Sequence, residues 1–302
     1  MQTVLKDKPC GCGSGKIIFP DNMERILITG GNGYLGKKLF DRLDGGRIDK
    51  GRFVRPLSRS WTGKDILKYD DVDEEMAKVA GGYVYHLAAK VSFNKRDEKE
   101  VLETAILGTR NVLRAACKYG MKKIVVVSSA ITVGACNNPY SSKDESSTER
   151  DISNAYVNGK IAQEQLARDA GAVIVAPTTC RLPLMAGAVI PSGGTNVVDP
   201  DDVVEGMIYA MKDGRKGEKY ILGGYNITYR ELYEKAGRKY IVAPSWLRRP
   251  LMWAAQFDPS WYMSPYTVDQ SFRFKYYNCQ KARKELGWEP IVSLRSMLKL
   301  PL

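Results

Sequence analysis

From Arg25 onward, short apolar runs alternate with stretches that carry apolar residues at helical spacing. Ile26 to Thr29 is the first such run, and Leu35, Leu39, Phe40 and Leu43 then recur every three or four positions. Further β-type runs follow at Arg52–Leu57, Tyr83–Ala89, Lys123–Ser129 and Ala172–Pro177. Between them the periodicity predicts helices over 73–80, 97–119 and 154–170. Continuously apolar strands alternating with helices imply a parallel sheet covered on both faces, a doubly wound α/β fold.

After Pro177 the alternation weakens and Pro, Gly and aromatic residues become more frequent. Helices are expected from Asp201 to Lys212 and from Thr228 to Arg238, with a short strand at Tyr220–Leu222. This predicts residues 23–177 as a nucleotide-binding domain, its sheet completed by later strands, and 178–302 as mainly a substrate lobe. Residues 1–22 lack sustained periodicity and read as a flexible tail, with Met23 a possible second start. Cys10 and Cys12 within it have no second pair of ligands nearby, so no metal site is expected.

The 302 residues carry 46 Lys plus Arg against 34 Asp plus Glu, a formal charge of +12. An anionic partner is implied, and a phosphorylated cofactor satisfies that as well as a nucleic acid or membrane would. No finger, helix-turn-helix or aromatic-interleaved basic pattern is present, so no nucleic-acid partner is expected. No run is long enough to span a bilayer and no apolar signal stretch opens the chain, so a soluble cytoplasmic protein is the expectation.

The turn Gly30-Gly-Asn-Gly33-Tyr34-Leu35-Gly36 lies directly after a strand and opens a helix. Glycines there admit a tight turn and bring backbone amides to a pyrophosphate at a helix N-terminus. His86-Leu87-Ala88-Ala89, Ser128-Ser129-Ala130 and Tyr156-Val-Asn-Gly-Lys160 follow in order. Together these segments resemble the extended short-chain dehydrogenase/reductase superfamily, of the NAD-dependent epimerase/dehydratase type and with a Rossmann-type fold. HLAAKVSF, YILGGYNITYRELYE and KARKELGWEP are closest to its dihydroflavonol-reductase-like and 3β-hydroxysteroid-dehydrogenase-like group.

The four-residue spacing puts Tyr156 and Lys160 on one helix face, where an ammonium would favour the phenolate and lower a phenol pKa. Ser129, at a strand end, can hydrogen-bond a carbonyl oxygen. The resemblance makes Ser129, Tyr156 and Lys160 catalytic, Ser128 a supporting neighbour, and Lys160 a ligand of the nicotinamide ribose. It implies an NADP-dependent oxidoreductase acting on a ketone or secondary alcohol. The alternatives are a nucleotide-sugar epimerase or dehydratase, for which Lys90, Arg248 and Arg249 could hold the diphosphate, and a non-catalytic NADP-binding sensor.

No acid follows the second strand; Ser58, Arg59 and Ser60 stand there, and a guanidinium fork suits a 2′-phosphate, so NADP is expected over NAD. The resemblance places Asp71, with Val72, at the adenine, Leu87, Ala88, Ala89 and Lys90 along the cofactor after the fourth strand, and Pro177 and Thr178 beside the nicotinamide after the sixth. His86, the single histidine, reads as a packed, hydrogen-bonded structural residue.

Two departures from the family pattern stand out. Ala105 replaces an asparagine that often contacts the cofactor or orders a water, and Gly159 replaces the serine before the lysine, which could ease approach to the nucleotide. Trp246–Trp253 carries apolar residues with flanking charge and is expected to be buried in the small lobe rather than at a membrane. The resemblance implies a homodimer through the helices at 97–119 and 154–170.

Overall fold

The computed structural model describes residues 23–43, 51–149, 153–182, 184, 189–257 and 264–298. The Cys10 and Cys12 expectation and the tail lie outside these residues. A six-stranded sheet forms from β1 (Glu24–Thr29), β2 (Arg52–Leu57), β3 (Tyr83–His86), β4 (Lys123–Val127), β5 (Val173–Pro177) and a later strand, β8 (Lys219–Leu222). Its order is β2-β1-β3-β4-β5-β8, with every neighbouring pair parallel. The order reverses between β1 and β3, which opens the crevice where α/β sheets bind ligands.

Period-two alternation sorts the strand side chains into two layers. Ile26 and Ile28 face a core shared with Leu39, Val203, Met207, Ala282 and Trp288, whereas Leu27 faces Val72, Met76, Val112 and Ala115. The first layer is covered by α1 (Tyr34–Arg42), α7 (Pro200–Asp213) and α11 (Gln280–Leu286), the second by α3 (Tyr69–Ala77) and α5 (Thr109–Lys118). Thus α7, β8 and α11 belong to the sheet domain although they lie after residue 178. Trp288 ties this end down by donating from Nε1 to the Asp202 carbonyl at 2.9 Å.

The expected helix at 73–80 begins earlier, at Tyr69, where Asp70 and Asp71 complement the positive end of the helix. The single helix expected at 97–119 is interrupted. A 3-10 turn leads into α4 (Glu98–Glu103), and a π-helical turn at Thr104–Gly108 separates it from α5. A methyl group at Gly108 would lie 2.4 Å from Ile66 Cδ1, so glycine lets this turn press against the loop before α3 without displacing the Ile66 side chain. Four residues, Arg59–Thr62, form α2, and the loop after them makes no strand in the sheet. Counted along the chain, Leu87 therefore follows the third strand and Thr178 the fifth, one fewer in each case than the sequence suggests.

The smaller lobe is built from two two-stranded sheets. One pairs β6 (Val189–Ile190) with β10 (Ile241–Val242), the other β7 (Gly194–Val197) with β9 (Tyr225–Thr228). Helices α8 (Tyr229–Lys235), α9 (Arg248–Ala255), α10 (Pro265–Ser271) and α12 (Leu294–Met297) accompany them, and α6 (Ala155–Asp169) completes the main domain. Thr228 and Glu231 form a reciprocal capping box that starts α8.

Candidate active site

Two neighbouring depressions run along the C-terminal edge of the sheet. The first, about 230 Å³, is bordered by Gly30, Gly33, Leu57, Ser58, Arg59, Asp65, Ile66, Leu87, Ala88, Ala89, Lys90 and Thr104. The second, about 520 Å³, is bordered by Tyr34, Leu35, Ser128, Ser129, Tyr156, Pro177 and Thr178, among others. Most of the cofactor residues expected from sequence thus border one cleft or the other.

The glycine turn shows why its residues cannot grow. Gly30 has φ of +71°, and a Cβ there would lie 2.7 Å from the Ala88 nitrogen. A Cβ at Gly36 would lie 2.1 Å from the Gly30 oxygen, so Gly36 is packed into the turn rather than exposed in the groove. Gly33 caps α1 without a capping side chain. That leaves helix N–H groups available to an anion. Thr104 Oγ1, on the π-helical turn, is buried beside the groove with no hydrogen-bond partner among the described residues. Amide donors at a helix start, a glycine cradle and an orphaned hydroxyl fit a dinucleotide.

Asp71 and Val72 are not part of this wall, which corrects the sequence expectation. Val72 is fully buried in the core, and Asp71 accepts from the Asp65 backbone N–H at 2.9 Å and faces Lys64 at 3.4 Å. These contacts hold the Asp71 carboxyl below its usual range, the Asp65 amide contributing most. Asp65 and Ile66 border the groove instead. Asn111 fixes their loop by donating to the Ile66 carbonyl at 2.9 Å. The aliphatic residue after an acid at 65–66 is the same local signal as at 71–72, and only the tertiary packing separates them.

Ser58 caps α2 by accepting from the Trp61 N–H at 3.2 Å, while Ser60 accepts from Asn32 at 2.5 Å. Arg59 is exposed, with Asp65 and Glu100 each 3.6 Å away. Lys90 pairs with Glu100 at 3.0 Å. No carboxylate stands at the end of β2 itself.

At the other end, Asn154 caps α6 by accepting from the Tyr156 N–H at 2.9 Å, which fixes where Tyr156 leaves the helix. Tyr156 and Ser129 border the second cleft together. Burial pushes the Tyr156 phenol up to about 12, opposed by the Ser129 hydroxyl and assisted by Cys180. The lowering expected from Lys160 is therefore not what the site shows. The Lys160 ammonium is directed elsewhere: it donates to the Val127 carbonyl and to Gln163 Oε1, both at 2.8 Å. One of its three N–H donors remains for another acceptor. Burial lowers Lys160 to about 8, against the attraction of Glu164.

Gln163 was not anticipated. Its Nε2 donates to Thr109 Oγ1 at 2.9 Å, and Thr109 lies 2.9 Å from His86 Nε2. His86 Nδ1 lies 2.7 Å from Thr29 Oγ1. The imidazole is fully buried, and burial with the nearby Lys160 charge pushes its pKa down to about 3. His86 is thus a neutral, doubly hydrogen-bonded structural residue, as its sequence context suggested.

A second buried network supports the serines. Glu164 Oε1 accepts from Ser128 at 2.5 Å and from Thr132 at 2.7 Å, and Lys219 bonds Glu164 Oε2 at 2.9 Å. The serine-containing turn is clamped on both sides of Ser129. Gly159 is explained by packing rather than by approach to a nucleotide: a Cβ there would lie 3.0 Å from the Ala105 methyl. The two departures from the family pattern face each other across the α6 contact.

The NAD dependent epimerase/dehydratase family matches residues 26–198. A Synechocystis protein provisionally named dihydroflavonol 4-reductase is 27% identical, the match covering 87% of this chain and 89% of that one. Arabidopsis thaliana UDP-glucuronic acid decarboxylase 1 is 24% identical, over 91% and 68% respectively. In fold, RMD from Pseudomonas aeruginosa complexed with NADPH superposes with a TM-score of 0.68 at 18% identity, covering 91% of this chain and 97% of that one. The family match spans more than half of the chain and agrees with the sheet order and the glycine turn, so the protein is an enzyme of the NAD dependent epimerase/dehydratase family, within the extended short-chain dehydrogenases/reductases.

Proposed function

We propose that the enzyme is an NADP-dependent oxidoreductase that reduces a ketone, or oxidises the corresponding secondary alcohol, at Ser129, Tyr156 and Lys160. The observation that carries this reading is that Ser129 and Tyr156 border the second cleft together, with Lys160 buried one helical turn after Tyr156 on α6. A nicotinamide dinucleotide, when bound, supplies or accepts the hydride. Gly30, Gly33 and the start of α1 would hold its pyrophosphate, and Arg59 with Ser58 its 2′-phosphate. Asp65 and Ile66 take the adenine role expected of Asp71 and Val72.

In the reductive direction Tyr156 Oη donates its proton to the carbonyl oxygen, and Ser129 Oγ hydrogen-bonds that oxygen as charge develops on it. The remaining Lys160 donor serves the ribose and, once shared with Tyr156, favours the phenolate left after transfer. Leu35, Val127 and Ala130 border the cleft with apolar surface that limits water around the reacting atoms.

The epimerase reading is weakened by the state of its expected diphosphate ligands. Lys90 is paired with Glu100, and Arg248 bonds Asp269 at 2.7 Å, which leaves Arg249 as the exposed cation of the three. Incubation with NADPH and a panel of ketones, beside redox-neutral assays on nucleotide sugars, decides between them. Net NADPH oxidation is the expected result; sugar conversion without net oxidation would reverse the assignment. We also propose a homodimer through α4, α5 and α6; a monomer by light scattering would refute it.

A further inference from the structure

A buried chain of polar groups joins Lys160 to the glycine turn. Thr29, His86, Thr109 and Gln163 are inaccessible to solvent, and Lys160 is 4% exposed. They come from β1, β3, α5 and α6, so the chain crosses the domain from one element to the next.

An ammonium can only donate, and that fixes the direction of every bond in the chain. Lys160 Nζ meets the oxygen of the Gln163 amide at 2.8 Å. The amide nitrogen is left facing Thr109 Oγ1 at 2.9 Å and His86 Nε2 at 3.3 Å. It too can only donate, so His86 Nε2 carries a lone pair and the ring proton sits on Nδ1. Thr109 accepts from Gln163 and turns its own hydroxyl proton to His86 Nε2 at 2.9 Å. His86 Nδ1 then donates to Thr29 Oγ1 at 2.7 Å, and the same oxygen accepts from the Ala88 N–H at 3.3 Å. Thr29 directly precedes Gly30, which packs on the Ala88 backbone. Turned by half a rotation, the Gln163 amide would set its N–H groups against the ammonium. The acceptors offered by Thr109 and His86 hold it against that rotation.

We propose that Gln163 is a positioning residue: locked by Thr109 and His86, its amide oxygen holds the Lys160 ammonium in one orientation, with a single donor left for the cofactor ribose and Tyr156. This rests on the reading that Lys160 serves both. The titratable groups around Lys160 are Tyr156 and Glu164 of its own helix, the latter bound by Lys219 of β8, and the neutral His86 of β3. From α5 and β4 it meets the uncharged Thr109 side, through Gln163, and the Val127 carbonyl. Leu102 and Ala105 bring apolar contacts to α6 at Gly159.

The test is fluorescence titration of NADPH between about pH 6 and pH 10, beside NADPH oxidation on a panel of ketones. Gln163→Met keeps the volume but loses the acceptor. It should move the alkaline limb of affinity down by about one pH unit and lower kcat about tenfold with ketone KM nearly unchanged. Gln163→Glu should move the limb up by a similar amount, since a carboxylate favours the ammonium. Thr109→Val unlocks the amide without touching Lys160 and should shift the limb as Gln163→Met does, and Thr109→Ser should restore most of that shift. Thermal melts identify the folded variants. Limbs that stay at the wild-type position in folded Gln163 variants, or that move the same way in both, overturn the proposal, because packing alone produces no opposite shifts. A limb unmoved by folded Thr109→Val overturns it equally. If no ketone is reduced, the reading of the reaction falls, and opposite shifts in affinity still assign Gln163 to the positioning of Lys160.

Discussion

Substituting Lys219 by Met tests how the serine turn is supported. Lys219 and Glu164 are both almost inaccessible, at 5% and 8% side-chain exposure, and their ionic contact is 2.9 Å. Methionine nearly preserves the volume of lysine but strands the Glu164 carboxylate, which retains only its bonds from Ser128 and Thr132. Removing one member of a buried pair costs about 3–5 kcal/mol, because the other charge stays desolvated without its counter-ion. For a chain of this size that lowers the melting temperature on the order of 10 °C. Protonating the stranded carboxylate relieves it, so the loss should be greatest at neutral pH and shrink as the solution is made acidic. The double variant Glu164→Gln/Lys219→Met removes both charges and should be more stable than the sum of the single losses by about 2 kcal/mol. Urea and thermal melts of the four proteins at neutral and acidic pH measure all of this. A loss below about 1 kcal/mol that does not change with pH would refute the buried-pair reasoning.

Other consequences can be checked separately. Lys160, lowered to about 8 by burial, binds fewer protons folded than unfolded between that pH and its ordinary value of 10.5. Its contribution to stability therefore rises with pH across that window. Cofactor affinity should fall over the same range as the ammonium is lost, and Gln163→Glu should move that limb upward in an affinity titration. Arg59→Glu should weaken NADP by tenfold or more while leaving NAD nearly unchanged; equal effects on both would remove Arg59 from the 2′-phosphate. Gly159→Ser should destabilise by about 1–3 kcal/mol in denaturant melts, because its Cβ meets Ala105, and the companion change Ala105→Gly should recover part of the loss.

The periodicity of the chain was enough to place the strands, the glycine turn and the Tyr156/Lys160 helix, because each depends on near neighbours in sequence. What it missed depends on distant ones. Asp65 and Asp71 carry the same local signal, and the groove selects Asp65 only through the packing of Gly108 and Asn111 against its loop. The π-helical turn that brings Thr104 to the groove breaks the helical period invisibly from sequence. Gln163 gains its role from Thr109 and Lys160, and Lys219 from Glu164, across separations that no periodicity encodes. The aromatic residues of α9 looked like core because apolar residues usually are. In the structure the inward face of that short helix is taken by Arg248 and Ala255.

The +12 charge is also clearer in its distribution. Part of it lines the dinucleotide groove at Arg59 and Lys90. The claim that bears most weight is that Tyr156 transfers the proton. The direct test compares NADPH oxidation by wild type and Tyr156→Phe on a ketone the wild type turns over, with dinucleotide affinity titrated on both proteins. The account predicts a rate loss of about 100-fold or more with affinity nearly unchanged. A variant that turns over at the wild-type rate would contradict it.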